Sequence, residues 1–248
     1  MKFTYEAYKN LIIKLVEKDY SISDYENFDK YNKCVVLRHD VDYSIDKAFE
    51  FAQFENNVGL GIKSTYFLLL TSPFYNIVSK ENREKVIAIK ELGHDIGLHF
   101  DELNYNKDYY KFHGGIKNVI MQEREIMKNI LGFEIKAVSM HRPSENTLKA
   151  DYDLSPAINS YSKIFFNEFK YVSDSRRRWR ENVDEIIETG KYDKLHILTH
   201  AFWYNEKEED IKTSIKKFVL TAKYDRYNEL DKNITDLSSI LREDEINE

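Results

Sequence analysis

Short apolar runs alternate with segments of helical periodicity along most of the chain. The apolar runs are short enough for buried strands, and the segments between them place apolar residues three and four positions apart. Such alternation is typical of repeated strand–helix units, which build a parallel sheet or a barrel. The predicted strands are residues 34–37, 62–70, 94–99, 135–140 and 195–199, and the predicted helices are residues 45–57, 81–92 and 116–131.

Both ends of the chain lie outside this alternating region. Residues 5–19 have apolar positions at helical spacing, which predicts an N-terminal helix before a polar, turn-rich segment. The residues after 206 predict one long charged helix and then an acidic end. No internal repeat and no linker rich in Pro, Gly or Ser is visible. We therefore expect one domain over residues 1–248, in which residues 1–33 and 205–248 flank the barrel.

The composition narrows the class of protein. Of the 248 residues, 42% are hydrophobic and 32% are charged, which fits a globular protein with a real core. The 43 acidic and 37 basic residues are mixed along the chain, so no nucleic-acid surface is predicted. Lys14 interrupts the first apolar stretch, so we expect neither a signal peptide nor a membrane span, and a cytoplasmic location. The single cysteine, Cys34, starts an apolar run and is interpreted as a buried hydrophobe.

Side chains suited to metal chemistry follow two of the predicted strands. Asp40 and Asp42 are two residues apart and so project to the same side, where a cation or a shared proton would relieve their repulsion. Alternatively, Asp42 caps the helix that begins near Ile45. His99 ends the strand 94–99, and a histidine there can also be purely structural. An imidazole and a carboxylate at neighbouring strand ends are ligands that zinc accepts, with an open position for water.

These two segments also resemble known motifs. Residues 36–42 and 93–99 are similar to the first two motifs of the polysaccharide deacetylase superfamily (NodB homology, carbohydrate esterase family four). The resemblance extends over most of residues 34–204. It implies an α/β fold, a distorted (β/α) barrel with about seven parallel strands. It also implies a metal-dependent hydrolase in which Asp40 is the catalytic base and Asp42 and His99 are metal ligands.

One position departs from the family pattern. The family's second metal histidine falls four residues after His99, where this chain has Leu103. A third ligand must then come from elsewhere, and His141, which follows the predicted strand 135–140, is the favoured candidate. The other candidates are Asp101, Glu102 and His113.

The remaining motifs imply further roles. Arg142, followed by proline, resembles the family's third motif, in which an arginine orients the base aspartate. Asp174, in the segment 173–175, resembles the acid of the fourth motif, which holds that arginine. His200, at the end of the strand 195–199, matches the fifth motif and is implied to be the general acid.

Three side chains are predicted to bind the substrate. Trp179 matches the aromatic residue that lines the groove in the fourth motif. Arg178 belongs to an insert of three arginines that is either a clamp for a phosphate or carboxylate, or ordinary surface charge. Trp203 offers a flat ring for the apolar face of a sugar, although core packing explains it almost as well.

The resemblance implies a reaction and a substrate class. The expected metal is zinc. A water activated by this metal attacks the carbonyl of an acetamido sugar, Asp40 takes a proton, and His200 protonates the amine. The expected location favours a nucleotide-linked or lipid-linked precursor of a surface glycan over finished polymer. The alternative is an inactive carbohydrate-binding or regulatory protein that lost its metal together with the histidine at position 103. A measurement of the metal content of the protein distinguishes the hydrolase from the inactive protein.

Overall fold

Parallel strands form the centre of the protein. The computed structural model describes residues 1–247. Within them, eight strands join one sheet in which every pair is parallel. In chain order these strands are β1 (Ser21–Ser23), β2 (Cys34–Val41), β3 (Thr65–Leu68), β4 (Asp95–Phe100), β5 (Ala137–Met140), β6 (Ile158–Asn159), β7 (Lys170–Ser173) and β8 (Lys194–Thr199).

The sheet curls into a half-barrel. Seven strands follow one another in the order β6-β5-β4-β3-β2-β8-β7, and β1 pairs with β2 outside this path. The first half of β2 pairs with β1 and its second half with β3, so β1 fills the place beside β2 that the short β3 leaves open. The predicted fold class, a distorted α/β barrel of about seven parallel strands, is confirmed.

Helices connect the strands. Several begin at a side chain that accepts a backbone N–H: Thr4 caps the first helix, Ser44 the second and Ser144 the sixth. In the described part of the chain the helices are α1 (Tyr5–Glu17), α2 (Ile45–Val58), α3 (Lys80–Glu91), α4 (Lys107–Phe112), α5 (Ile116–Leu131), α6 (Glu145–Ala150), α7 (Lys163–Asn167), α8 (Val183–Thr189), α9 (Ile211–Asp231) and α10 (Leu237–Ile240).

The central strand β2 is buried on both faces. Val35 and Leu37 belong to the larger hydrophobic cluster, which includes buried residues of α1, α2, α3 and α5. Cys34 and Val36 face the smaller cluster inside the half-barrel. Because side chains alternate along a strand, the later even-numbered residues of β2 continue the inner face. The inner face therefore changes from apolar to charged toward the carboxyl end of the strand.

A buried carboxylate lies behind β2, on the face toward the helices. Glu55 of α2 is fully buried. Burial alone would raise its pKa, but the neighbouring His39 and hydrogen bonds to the carboxylate lower it to about 2. Glu55 is therefore an ionised anchor between α1, α2 and the sheet. Its oxygens lie 2.6 Å from Tyr8 Oη, 3.0 Å from His39 Nε2, 2.7 Å from Ser64 Oγ and 2.6 Å from Tyr66 Oη.

Contacts divide the chain into two compact units, Met1–Glu206 and Lys207–Glu248. The first contains the sheet and α1 to α8. The second contains α9 and α10, and in it Tyr227 Oη donates a hydrogen bond to the carbonyl oxygen of Leu241 at 2.9 Å. No helix within residues 1–247 has both the length and the apolar character that crossing a membrane requires. The expected single domain over residues 1–248 stays a prediction.

Candidate active site

The predicted catalytic and metal-binding residues lie at one edge of the sheet. Asp40 and His99 are near the ends of β2 and β4, and Asp42, His141 and His200 directly follow β2, β5 and β8. Parallel strands bring their carboxyl ends to the same edge, where the chain leaves the rigid sheet. All five side chains line one cavity of about 600 Å³. This volume lies within the range of about 300–1,000 Å³ that small-molecule sites occupy.

Three side chains converge on a point in this cavity. Asp42 Oδ1 lies 3.4 Å from His99 Nε2 and 3.3 Å from His141 Nδ1. The two imidazole nitrogens are 3.2 Å apart. The three potential ligand atoms thus form a nearly equilateral triangle. These are the three residues predicted as ligands from the sequence.

The triangle has the dimensions of a zinc site. Zinc holds nitrogen and oxygen ligands at roughly 2.0–2.1 Å in a tetrahedron, which places the ligand atoms about 3.3–3.4 Å from one another. Burial would raise the pKa of Asp42, but contacts with His141 and His99 outweigh burial and hold this pKa well below its ordinary value. The carboxylate is therefore ionised, as a ligand must be. A divalent metal fits this donor set.

The other candidates for the third ligand are engaged elsewhere. Asp101 forms an ion pair with Arg142. Glu102 accepts hydrogen bonds from the backbone N–H of Ser144, at 2.6 Å, and from Thr147. His113 stacks on a tyrosine ring of α4. Ser44, and not Asp42, caps α2, so the alternative role for Asp42 as a helix cap is wrong.

Asp40 is held by an arginine that the sequence reasoning missed. Arg38 Nη2 lies 2.9 Å and 2.7 Å from the two carboxylate oxygens of Asp40, and Nε lies 3.1 Å from Oδ1. Both side chains are almost completely buried. Burial would raise the pKa of Asp40, but the charge of Arg38, the neighbouring imidazoles and the hydrogen bonds from Arg38 together outweigh burial and lower this pKa. The carboxylate therefore stays ionised, the state that a general base needs.

The expected contact between Arg142 and Asp40 is wrong. Arg142 follows β5 and is about half exposed, and its guanidinium pairs with Asp101, which follows the neighbouring β4. Arg38 lies two residues before Asp40 on the same face of β2 and is therefore much closer. An arginine within an otherwise apolar strand was the sequence signal for this pair.

Arg38 is fixed by its own surroundings inside the half-barrel. Its guanidinium donates to the hydroxyl oxygens of Ser139 and of Ser160, the latter at 3.2 Å. The same group lies 5.1 Å from the ring centre of Phe67 and 5.3 Å from that of Tyr161. These contacts leave the arginine little freedom, so they also fix the direction of the Asp40 carboxylate.

His200 is paired with Asp174. His200 Nδ1 lies 2.6 Å from Asp174 Oδ1, and the backbone N–H of His200 donates to Oδ2 at 3.1 Å. Burial opposes the charged imidazole, but Asp174 outweighs this effect and raises the pKa of His200 to about 9. The second nitrogen, Nε2, lies 3.7 Å from Asp42 Oδ2 and so faces the triangle of Asp42, His99 and His141.

The expected contact between Asp174 and Arg142 is therefore also wrong. Asp174 follows β7, and β7 pairs with β8, which places Asp174 beside His200. Arg142 follows β5, which lies four strands from β8 in the sheet order. The sheet topology thus pairs the acid with the histidine, an arrangement that orients an imidazole.

The three predicted substrate-binding residues have different environments. Trp203 lines the cavity. Trp179 is half-buried and packs against the hydrophobic core. Arg178 is exposed and is not among the described side chains that line the cavity. Two neighbouring arginines, Arg176 and Arg180, line it instead.

Comparison with known proteins gives distant structural matches. No family model matches the chain, and no curated protein matches it by sequence. A CE4 domain of a multidomain xylanase from the hindgut metagenome of Trinervitermes trinervoides superimposes with a TM-score of 0.43 and 14% identity, covering 80% of this chain and 85% of that one. A polysaccharide deacetylase from Bacillus cereus gives 0.41 and 18%, covering 73% and 93%.

A third match carries a different functional description. A CE4 family pseudoenzyme from Bacillus anthracis superimposes with a TM-score of 0.39 and 13% identity, covering 77% of this chain and 62% of that one. The family that the motifs resemble is the family named for these structures.

Proposed function

We propose that the protein is a metal-dependent hydrolase that removes the acetyl group from the nitrogen of an acetamido sugar. Its substrate is a nucleotide-linked or lipid-linked precursor of a surface glycan, and its metal is zinc. The observation that carries this proposal is the triangle of Asp42 Oδ1, His99 Nε2 and His141 Nδ1. An ionised aspartate and a paired histidine adjoin it.

In this proposal Asp42, His99 and His141 hold the metal. A divalent cation at this place supplies a Lewis acid and lowers the pKa of water. Asp40 Oδ2 lies 3.5 Å from His99 Nε2, so Asp40 reaches the same space. Because Arg38 keeps it ionised, Asp40 accepts the proton of the attacking water.

His200 completes the reaction by donating a proton. Cleavage of the amide C–N bond leaves an amine, which must be protonated as the bond breaks. The hydrogen bond from Nδ1 to Asp174 places the transferable proton on Nε2, the nitrogen that faces the site. Asp174 thus fixes the tautomer and orientation of His200.

The cavity wall suits a sugar. The rings of Tyr43, Tyr161 and Trp203 line it beside the charged residues. Aromatic rings pack against the apolar faces of pyranose rings, while a few polar groups fix the orientation of the ligand. This combination supports a carbohydrate substrate.

The decisive experiment measures metal content and acetate release on the same purified protein. We expect about one zinc ion per chain and release of acetate from an acetamido sugar that stops when the metal is chelated and resumes when zinc is returned. Protein that binds a sugar but neither zinc nor any other divalent metal would instead support the non-catalytic alternative.

Single replacements of the three ligands test the triangle. We expect Asp42→Ala, His99→Ala and His141→Ala each to reduce bound zinc to a small fraction, because two remaining ligands hold the ion poorly. Asp101→Ala and His113→Ala are the matched controls, and both should retain full metal. Elemental analysis after dialysis provides the measurement. Retention of full zinc by His141→Ala would exclude His141 as the third ligand.

Replacement of the two arginines tests which of them positions Asp40. We expect Arg38→Lys to lower kcat at least about tenfold with zinc retained, because an ammonium cannot reproduce the forked contact with the carboxylate. Arg142→Lys should change kcat by less than about threefold, since Arg142 pairs with Asp101. Rates are compared at equal zinc content, below the melting temperature of both variants. A larger loss in Arg142→Lys would contradict the assignment.

A further inference from the structure

Among the described residues, two arginines of the cavity wall form no ion pair with a carboxylate. Arg176 and Arg180 line the cavity that contains Asp40 and Asp42. Within residues 1–247, neither forms an ion pair with an acidic group within 4.0 Å. Arg142, the third arginine of this wall, is already paired with Asp101. Two guanidinium groups therefore remain available to a ligand.

The loop that carries these arginines is fixed at several points. Arg176 has φ 61° and ψ 30°, and Arg177 has φ 54°, values in the left-handed region that residues with a side chain rarely adopt. The Arg177 guanidinium lies 5.0 Å from the ring centre of Phe3 and 5.9 Å from that of Trp203. The strained backbone is thus held by packing, which is a common feature of binding loops.

The loop also begins at the catalytic machinery. Asp174, which holds His200, is the residue directly before it, and the backbone N–H of Arg178 donates to the carbonyl oxygen of Asp174 at 3.0 Å. A group bound by Arg176 or Arg180 is therefore held on the same wall as the proton donor. Residues 174–180 therefore carry both the partner of His200 and the two arginines of the cavity wall.

The charges of the cavity favour an anionic ligand. The Asp40 carboxylate is compensated by Arg38, and the Asp42 carboxylate contacts His99 and His141. Arg176 and Arg180 add two positive charges to this wall, although the chain as a whole has a net charge of -6. Planar guanidinium groups bind the oxygens of phosphates in forked contacts.

We propose that Arg176 and Arg180 bind a phosphoryl group that is esterified to the sugar. This inference rests on the proposed deacetylation and specifies its substrate: a sugar phosphate or a phosphodiester, and not a neutral glycan. Nucleotide-linked and lipid-linked sugars share this phosphoryl chemistry. Uridine diphosphate N-acetylglucosamine and a polyprenyl diphosphate sugar are therefore compared as two arms of the test.

Binding of small probes tests the inference directly. Titration calorimetry on the zinc-loaded protein compares N-acetylglucosamine 1-phosphate, the neutral methyl glycoside of N-acetylglucosamine and inorganic phosphate. The same titration with uridine diphosphate N-acetylglucosamine and with a polyprenyl diphosphate sugar distinguishes the two sources of the phosphoryl group. We expect Arg176→Gln and Arg180→Gln each to weaken binding of the phosphorylated probe at least about tenfold. Binding of the neutral glycoside should not change. Arg178→Gln, an exposed neighbour outside the cavity, is the matched control and should change binding less than about twofold.

Several outcomes would overturn the inference. One is equal affinity for the phosphorylated and neutral sugars. Another is an effect of Arg178→Gln as large as that of Arg176→Gln, which would indicate general surface charge. Wild-type protein that binds neither N-acetylglucosamine 1-phosphate nor inorganic phosphate would also overturn it.

Different experimental outcomes would disprove this inference and the proposed function. Zinc-loaded protein that releases acetate equally fast from neutral and phosphorylated sugars disproves the role of the arginines only. Protein with no metal and no acetate release disproves the deacetylase, whether or not phosphate binds. Metal content and the binding titration are read independently.

Discussion

Replacing Asp40 by asparagine is expected to lower the rate of acetate release about 10²–10⁴-fold while the metal stays bound. Asparagine keeps the size of the side chain and an oxygen that Arg38 can reach, but its amide cannot accept a proton from water. Asp40 is outside the triangle formed by Asp42, His99 and His141, so the metal ligands remain. The loss should therefore appear in kcat and not in zinc content.

The measurement is steady-state acetate release with zinc determined on the same samples. Asp101→Asn is the matched control, because Asp101 is also a buried carboxylate near a strand end but pairs with Arg142. Its kcat should fall far less. Thermal melting shows whether the uncompensated Arg38 charge unfolds the Asp40 variant. An Asp40→Asn protein with more than a tenth of wild-type activity would show that another group removes the proton.

Sequence patterns predicted the framework of the fold well, because burial imposes strong periodicities. The predicted helix 116–131 coincides with α5, and the predicted strands 34–37 and 195–199 lie within β2 and β8. The strands missed by the prediction are β1, β6 and β7. They are short and have partly exposed, polar sequences, so their pairing depends on neighbouring strands more than on their own pattern.

The residues of the candidate site that lie at strand ends could be predicted from the sequence. The side chains with which Asp40 and Asp174 pair could not. Asp42, His99 and His141 each follow or end an apolar run, and the structure brings them together. The partners of Asp40 and Asp174 were wrongly predicted. Motif order alone does not say that β7 lies beside β8 or that a buried arginine shares a strand face with Asp40.

Glu55 shows a further limit of sequence reasoning. Within α2 it is one of several acidic residues, and nothing in the local pattern distinguishes it from the exposed Glu50. Its importance comes from side chains outside α2 that donate hydrogen bonds to one carboxylate. One donor, Tyr8, belongs to the N-terminal helix, and His39 directly precedes Asp40 on β2. The cluster therefore stabilises the strand that carries the proposed base.

Replacing Glu55 by glutamine should lower the free energy of unfolding by about 3 kcal/mol at pH 7. The pKa of Glu55 is about 2 in the folded protein, against an ordinary value of 4.5. A depressed pKa stabilises the folded state above pH 4.5, and this contribution is lost as pH falls from 4.5 toward 2. Glutamine also brings two N–H donors into a cluster whose hydroxyls already donate.

Urea denaturation of wild type and Glu55→Gln at several pH values between 7 and 4 tests this prediction. The difference in unfolding free energy should stay constant from pH 7 to about pH 5 and then shrink, because Glu55 of the unfolded wild-type chain takes up a proton near pH 4.5 while the folded chain does not. Glu50→Gln is the matched control on the same helix, since the Glu50 side chain is 54% exposed, and its effect should stay within about 0.5 kcal/mol. If both variants lose equally little stability, the buried cluster does not anchor β2, and the rigid placement of Asp40 must come from Arg38 alone.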